Sequence, residues 1–204
     1  VGDKLDYTAH IPKVESRWEI KDFIDFIKNP KSIWEMPNGQ TIHFYPTNKI
    51  RIPVDKNTII KNKVVAAKYN DSIVSYIDID IKGNALYKNR LMMLDLIANN
   101  NWKRPVYFSP GAFEDEDYLW MKNYLQLEGM IYKLVPIKTK VDKDTNPMDM
   151  GGLDADKMYS IVMKWDWGNS RGDIYHDPET RKNSISYRSV LSRLMDKLIA
   201  EGKL

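Results

Sequence analysis

The chain has no cysteine. That excludes disulfides, thiolate metal centres and a cysteine nucleophile, and it leaves the redox compartment open. No run approaches the roughly 18 apolar residues needed to cross a bilayer. The amino end, "VGDKLDYTAH", has neither the basic nor the apolar region of a secretion signal. Histidine is scarce: His10, His43 and His176 lie far apart, with no HExxH and no pair at ligand spacing, so no histidine-bound metal is expected. The 10 glycines form neither a dinucleotide fingerprint nor a P-loop, and no GxSxG marks a serine hydrolase. An excess of one charge is missing as well. The 31 basic residues stand against 28 acidic ones, a balance that argues against nucleic acid as a partner. No cofactor is expected, and any electrostatic recognition must be local.

What is present is a globular composition, 43% hydrophobic over 204 residues, enough for a substantial core. "SRWEIKDFIDFIK" (16–28) predicts a short helix behind a capping serine. The stretch 38–57 predicts a hairpin or meander from Thr41–Tyr45 and Lys49–Val54, with Pro46 and Pro53 keeping it at an edge. "YIDIDI" alternates strictly and predicts a half-buried strand with Ile77, Ile79 and Ile81 inside. Residues 85–100 are apolar almost all round and predict a buried helix on a sheet. "RPVYFS" (104–109), a helix over 114–128 closed by Gly129 and a strand over 130–139 then predict a right-handed parallel crossover. Two helices come after it, from 154 and from 184. The expected fold is α/β, a mixed sheet covered by helices with a helical carboxyl-terminal segment. The divisions are a lead-in at 1–38, an α/β domain at 39–153 and the helical segment at 154–204.

Candidate sites are few. The acids Glu114, Asp115, Glu116 and Asp117 fit a helix first turn, where they complement the dipole and repel a phosphate. Asp78 and Asp80, on one face of their strand, could share a cation; the plain reading is a solvated strand face. Asp95 inside an apolar helix, with Arg104 shortly after it, suggests a buried structural pair. Trp102, Trp165 and Trp167, with Arg104, are the candidate binding residues, since indoles can stack on sugar rings as well as fill a core. The segment 49–68 holds Lys49, Arg51, Lys56, Lys61, Lys63 and Lys68 against Asp55 and suits an anionic lipid surface, or simply solvent. No catalytic residue is assigned.

Four separated blocks, "PTNKIRIPVDK", "LMMLDLIANNNWKRPVYFS", "YLQLEGMIYKLVPIK" and "MYSIVMKWDWGN", resemble, in this order, the carboxyl-terminal extracytoplasmic portion of the large bacterial membrane proteins of the DUF2723 family. That family is related to protein O-mannosyltransferases of the GT-C type. The resemblance runs from about Gly39 to Leu204 and implies that the chain is a piece of a longer protein whose membrane-spanning helices carry the transferase site. It further implies a periplasmic location at the inner membrane and a non-catalytic accessory role, presenting an acceptor protein or glycan. It also implies that the last helix, with its stripe of Tyr187, Leu191, Leu194 and Leu198, begins a set of helical repeats. Two alternatives remain: an autonomous enzyme acting on carbohydrate or nucleotide-sugar through Asp78 and Asp80, and a structural protein-interaction domain.

Overall fold

The computed structural model describes residues 7–109, 116–139, 150–166 and 173–203, without the side chains of 116–119. The chain divides into two compact units, residues 1–106 with 116–121, and residues 107–115 with 122–204.

The first unit runs β1 (Tyr7–His10), β2 (Trp18–Glu19), α1 (Ile20–Lys28), β3 (Ile33–Glu35), β4 (Thr41–Tyr45), β5 (Lys49–Pro53), α2 (Lys56–Lys61), β6 (Tyr76–Asp80), β7 (Ala85–Tyr87) and α3 (Lys88–Asn100). It holds two sheets, a mixed one in the order β3-β4-β1-β7 and a smaller one in the order β2-β5-β6. In the smaller sheet the alternation of "YIDID" does what its period requires. Ile77 and Ile79 lie beside Ile52 and Ile50 and are buried with them, while Asp78 and Asp80 pair in register with Arg51 and Lys49 on the other face. α1 turns Ile20, Phe23, Ile24 and Ile27 inward, and α3 contributes Leu94, Ile97 and Ala98.

The second unit runs β8 (Tyr107–Phe108), β9 (Leu125–Glu128), β10 (Ile131–Leu134), β11 (Gly152–Leu153), α4 (Ala155–Val162) and α5 (Pro178–Ala200). Its mixed sheet has the order β11-β9-β10-β8. Leu125, Leu127, Tyr132 and Leu134 are buried there, with Met158 and Val162 of α4 and Val190 and Leu194 of α5. Arg193 of α5 donates from both terminal guanidinium nitrogens to the carbonyls of Met150 and Gly151, at 3.1 and 3.0 Å.

The α/β class with a helical end stands, but several elements differ from expectation. The helix over 114–128 is absent: Glu116–Tyr124 is a 3-10 helix, and "LQLE" is strand β9. Gly129, at φ +66°, turns a hairpin into β10 rather than closing a helix. β10 pairs antiparallel with β8, so the expected parallel crossover between these two strands is not formed. Thr41–Tyr45 and Lys49–Pro53 do not form a hairpin with each other; they enter different sheets. Ser16 does not cap α1, which starts after Glu19. α3 is not buried all round, because Met92 and Leu96 are 58% and 72% exposed. The stripe on α5 is divided: Leu194 is buried, Leu191 and Leu198 are half-buried and Tyr187 is exposed.

Candidate functional site

The residues singled out in the sequence are mostly spent on structure. Asp78 meets Arg51 at 3.1 Å and Arg17 at 3.6 Å, and Asp80 meets Arg17 at 2.7 Å. Arg17 also donates to the carbonyls of Ile50 and Ile79, so it ties the two carboxylates to the strands beneath them. Two guanidiniums hold the position a shared cation would take. Among the described residues no group of three or more His, Asp or Glu side chains could hold a metal ion.

Asp95 does not pair with Arg104. Its carboxylate accepts from Lys28 of α1 at 2.8 Å and from Asn99 at 3.1 Å, and both partners of the ion pair are about half exposed. The physical reason is orientation: Asp95 lies on the side of α3 next to α1, whereas Arg104 lies beyond the helix end, its backbone bonded to Asn100. Trp102 is half-buried; its indole N–H donates to the Pro53 carbonyl at 3.2 Å, latching the loop after α3 to the end of β5. Trp165, in the second unit, packs edge-on to Tyr187 and against Gly129. Trp167 lies outside the described residues.

Strand pairing builds a different surface. Trp34 of β3 is in register with Ile42 of β4, and Tyr7 of β1 with Tyr87 of β7. The parallel register Thr8 to His43, carried back one residue, sets Tyr7 beside Ile42. Residues in register share a face. Trp34, Ile42, Tyr7 and Tyr87 therefore form a single row across all four strands of the sheet, about 14 Å long at about 4.8 Å per strand. Its three aromatic side chains are open: Trp34 is 40%, Tyr7 44% and Tyr87 55% exposed.

A cation stands at each end of the row. Lys13 places its ammonium 4.5 Å from the ring centres of both Trp34 and Phe44, and the Arg90 guanidinium lies 5.7 Å from those of Tyr87 and Trp120. Such contacts hold the rings in place and keep donors at the rim. The opposite face is rigid. His10 stacks on Tyr45 at 4.9 Å, Phe23 meets Tyr45 edge-on, and Ser32 is 2.8 Å from His43 Nδ1. Burial lowers the pKa of His10 below its ordinary value and raises that of Tyr45 to about 12, with Arg90 pulling the latter back. The row offers ring faces and rim donors, which bind rather than react. Sequence reasoning missed it because each aromatic belongs to a different short strand; "SIWEM" and "ALYK" carry no sign that they will share a face.

The second unit contains a buried polar cluster. Gln126 and Glu128 alternate with the buried leucines of β9, and Lys133 of β10 is in register with both Gln126 and Tyr107. Glu128 accepts from the Tyr107 phenol at 3.0 Å and from Gln126 at 3.2 Å, with the Lys133 ammonium at 3.6 Å. Burial, then the hydrogen bond to Glu128 and its charge, push the Tyr107 phenol up to about 12. The donors that surround this carboxylate make the cluster an internal brace.

Residues 3–157 match the family model described as TMEM260-associated domain 2, a span that takes in both the aromatic row and the polar cluster. No curated protein and no solved structure matches the chain. Among the described residues no helix is long and apolar enough to cross a membrane. The match covers well over half of the chain, which therefore belongs to the TMEM260-associated domain 2 family and is an accessory domain of a membrane protein.

Proposed function

We propose that this chain is a non-catalytic, extracytoplasmic accessory domain of a membrane glycosyltransferase of the DUF2723 and protein O-mannosyltransferase type, and that it presents a glycan-bearing acceptor to the membrane-embedded site from the periplasmic face. Family membership supports the association with a membrane protein, and the four sequence blocks support the transferase lineage. The observation that carries the presenting role is the exposed row Trp34, Ile42, Tyr7 and Tyr87. Flat rings set at strand spacing match the apolar C–H faces of successive sugars, and Lys13 and Arg90 at the ends supply donors for hydroxyl groups. Trp and Tyr suit this work because they give large contact area at small cost in side-chain entropy.

The test is a titration of the chain with mannose-based oligosaccharides and O-mannosylated peptides, monitored by indole fluorescence and by side-chain NMR. Saturable shifts at Trp34, Tyr7 and Tyr87 are expected, with binding about tenfold weaker, about 1.4 kcal/mol, in Trp34→Ala and in Tyr87→Ala. Thermal melts check that both variants remain folded. Shifts that are absent, or that persist unchanged in both variants, would refute the reading.

A further inference from the structure

The cations of segment 49–68 do not act as one face. Arg51 is bound to Asp78, Lys49 lies in register with Asp80, and Lys56 is 3.7 Å from Asp71. Lys61 and Lys63, at the end of α2, are exposed and make no ion pair among the described residues. The fold brings two further cations to them from about forty residues away. Asn62 donates to the Trp102 carbonyl at 2.9 Å, while Trp102 is latched to Pro53, so Lys103 and Arg104 emerge beside the end of α2. Both are exposed and likewise have no ion-pair partner among the described residues. Asp55 is the acid nearest Lys61 in sequence, and its carboxylate is occupied in capping the opposite end of α2.

Exposed aliphatic side chains accompany this charge. Ile60 directly precedes Lys61 and is 42% exposed. Met92 and Leu96, four residues apart and so on one stripe of α3, are the exposed apolar residues leading toward the Trp102–Arg104 loop.

We propose that the end of α2 and the loop after α3 form a docking patch for an anionic lipid surface, with Lys61, Lys63, Lys103 and Arg104 contacting headgroups and Ile60 and Leu96 entering the interfacial layer. Four cations with no ion-pair partner among the described residues suit the negative potential of such a surface, and long basic side chains can reach headgroups while their stems cover apolar area. Aliphatic groups among them gain from the lipid boundary what they cannot gain from water. A partner of this kind is within reach, since the family accompanies a membrane protein. The patch shares no residue with the aromatic row, so its docking can fail while glycan binding stands.

The experiment is flotation of the full chain with phosphatidylcholine vesicles, with and without phosphatidylserine, at low and high salt. Binding is expected only with phosphatidylserine, and it should be lost at high salt. Each of Lys61→Gln, Lys63→Gln, Lys103→Gln and Arg104→Gln should weaken it about fivefold. Leu96→Ser should weaken it without changing its salt dependence. Lys21→Gln, an exposed cation on α1, should leave binding unchanged, and circular dichroism establishes that every variant is folded. No binding to phosphatidylserine vesicles would overturn the proposal. So would equal losses from Lys21→Gln and Lys103→Gln, or binding to soluble polyphosphate with none to vesicles.

Discussion

Replacing Tyr45 with phenylalanine removes one oxygen and leaves the ring. The side chain is fully buried, and its hydroxyl has no hydrogen-bond partner among the described residues. The contacts that matter for packing belong to the ring, stacked on His10 at 4.9 Å and edge-on to Phe23 at 5.6 Å, and they survive the change. A buried, unsatisfied polar group costs about 1–3 kcal/mol. Tyr45→Phe should therefore stabilise the first unit by about 1 kcal/mol, which raises its melting temperature by about 2–4 °C in a chain of this size. Thr8→Val is the companion test, because the Thr8 hydroxyl is also buried without a partner among the described residues. Alkali provides the sign check. Burial holds the Tyr45 phenol near 12 in the folded chain, against an ordinary value of 10.0. Between those values the unfolded chain releases a proton that the folded chain keeps. Tyr45 thus contributes stability that is complete below pH 10.0 and is lost as the pH rises through about 12. The advantage of Tyr45→Phe over the parent should widen across that interval, measured by urea unfolding at a series of pH values. A variant less stable than the parent by about 1 kcal/mol or more, with no widening, would show that the hydroxyl is bonded inside the protein and that the reasoning is wrong.

Glu128→Ala should destabilise the second unit by about 3 kcal/mol, since it strips a buried carboxylate from Tyr107, Gln126 and Lys133. Spectrophotometric titration should then show Tyr107 ionising lower than about 12, though only part of the way back, because burial remains. Gly151→Ala should cost about 2–3 kcal/mol in urea unfolding: the residue has φ +83°, and an added Cβ would lie 2.9 Å from the Leu125 carbonyl oxygen. Asp95→Ala should cost less than about 1 kcal/mol, because its ion pair with Lys28 is half exposed; a loss near 3 kcal/mol would mean that the carboxylate has a buried role.

Local periodicity is the part of this protein that the sequence by itself determined. The alternation in "YIDID" set Ile77 and Ile79 inside and Asp78 and Asp80 outside, and a helix beginning near 154 was legible as well. Four blocks in order carried a resemblance to soluble parts of membrane transferases, and the family match agrees at the level of a domain that accompanies a membrane protein. Tertiary structure decided the rest, because pairing between strands costs loop entropy that local preference cannot foretell. "YLQLEG" has helical character, yet β10 and β11 flank it, and ladder bonds on both sides make it a strand. The sequence suggested Arg104 as the partner of Asp95, and the packing of α1 against α3 supplied Lys28 instead. The aromatic row needs three register relations at once, from β3 to β4, β4 to β1 and β1 to β7. Trp34, Tyr7 and Tyr87 are far apart in sequence, and only those hydrogen-bonded ladders put them in one row, with Ile42 between Trp34 and Tyr7.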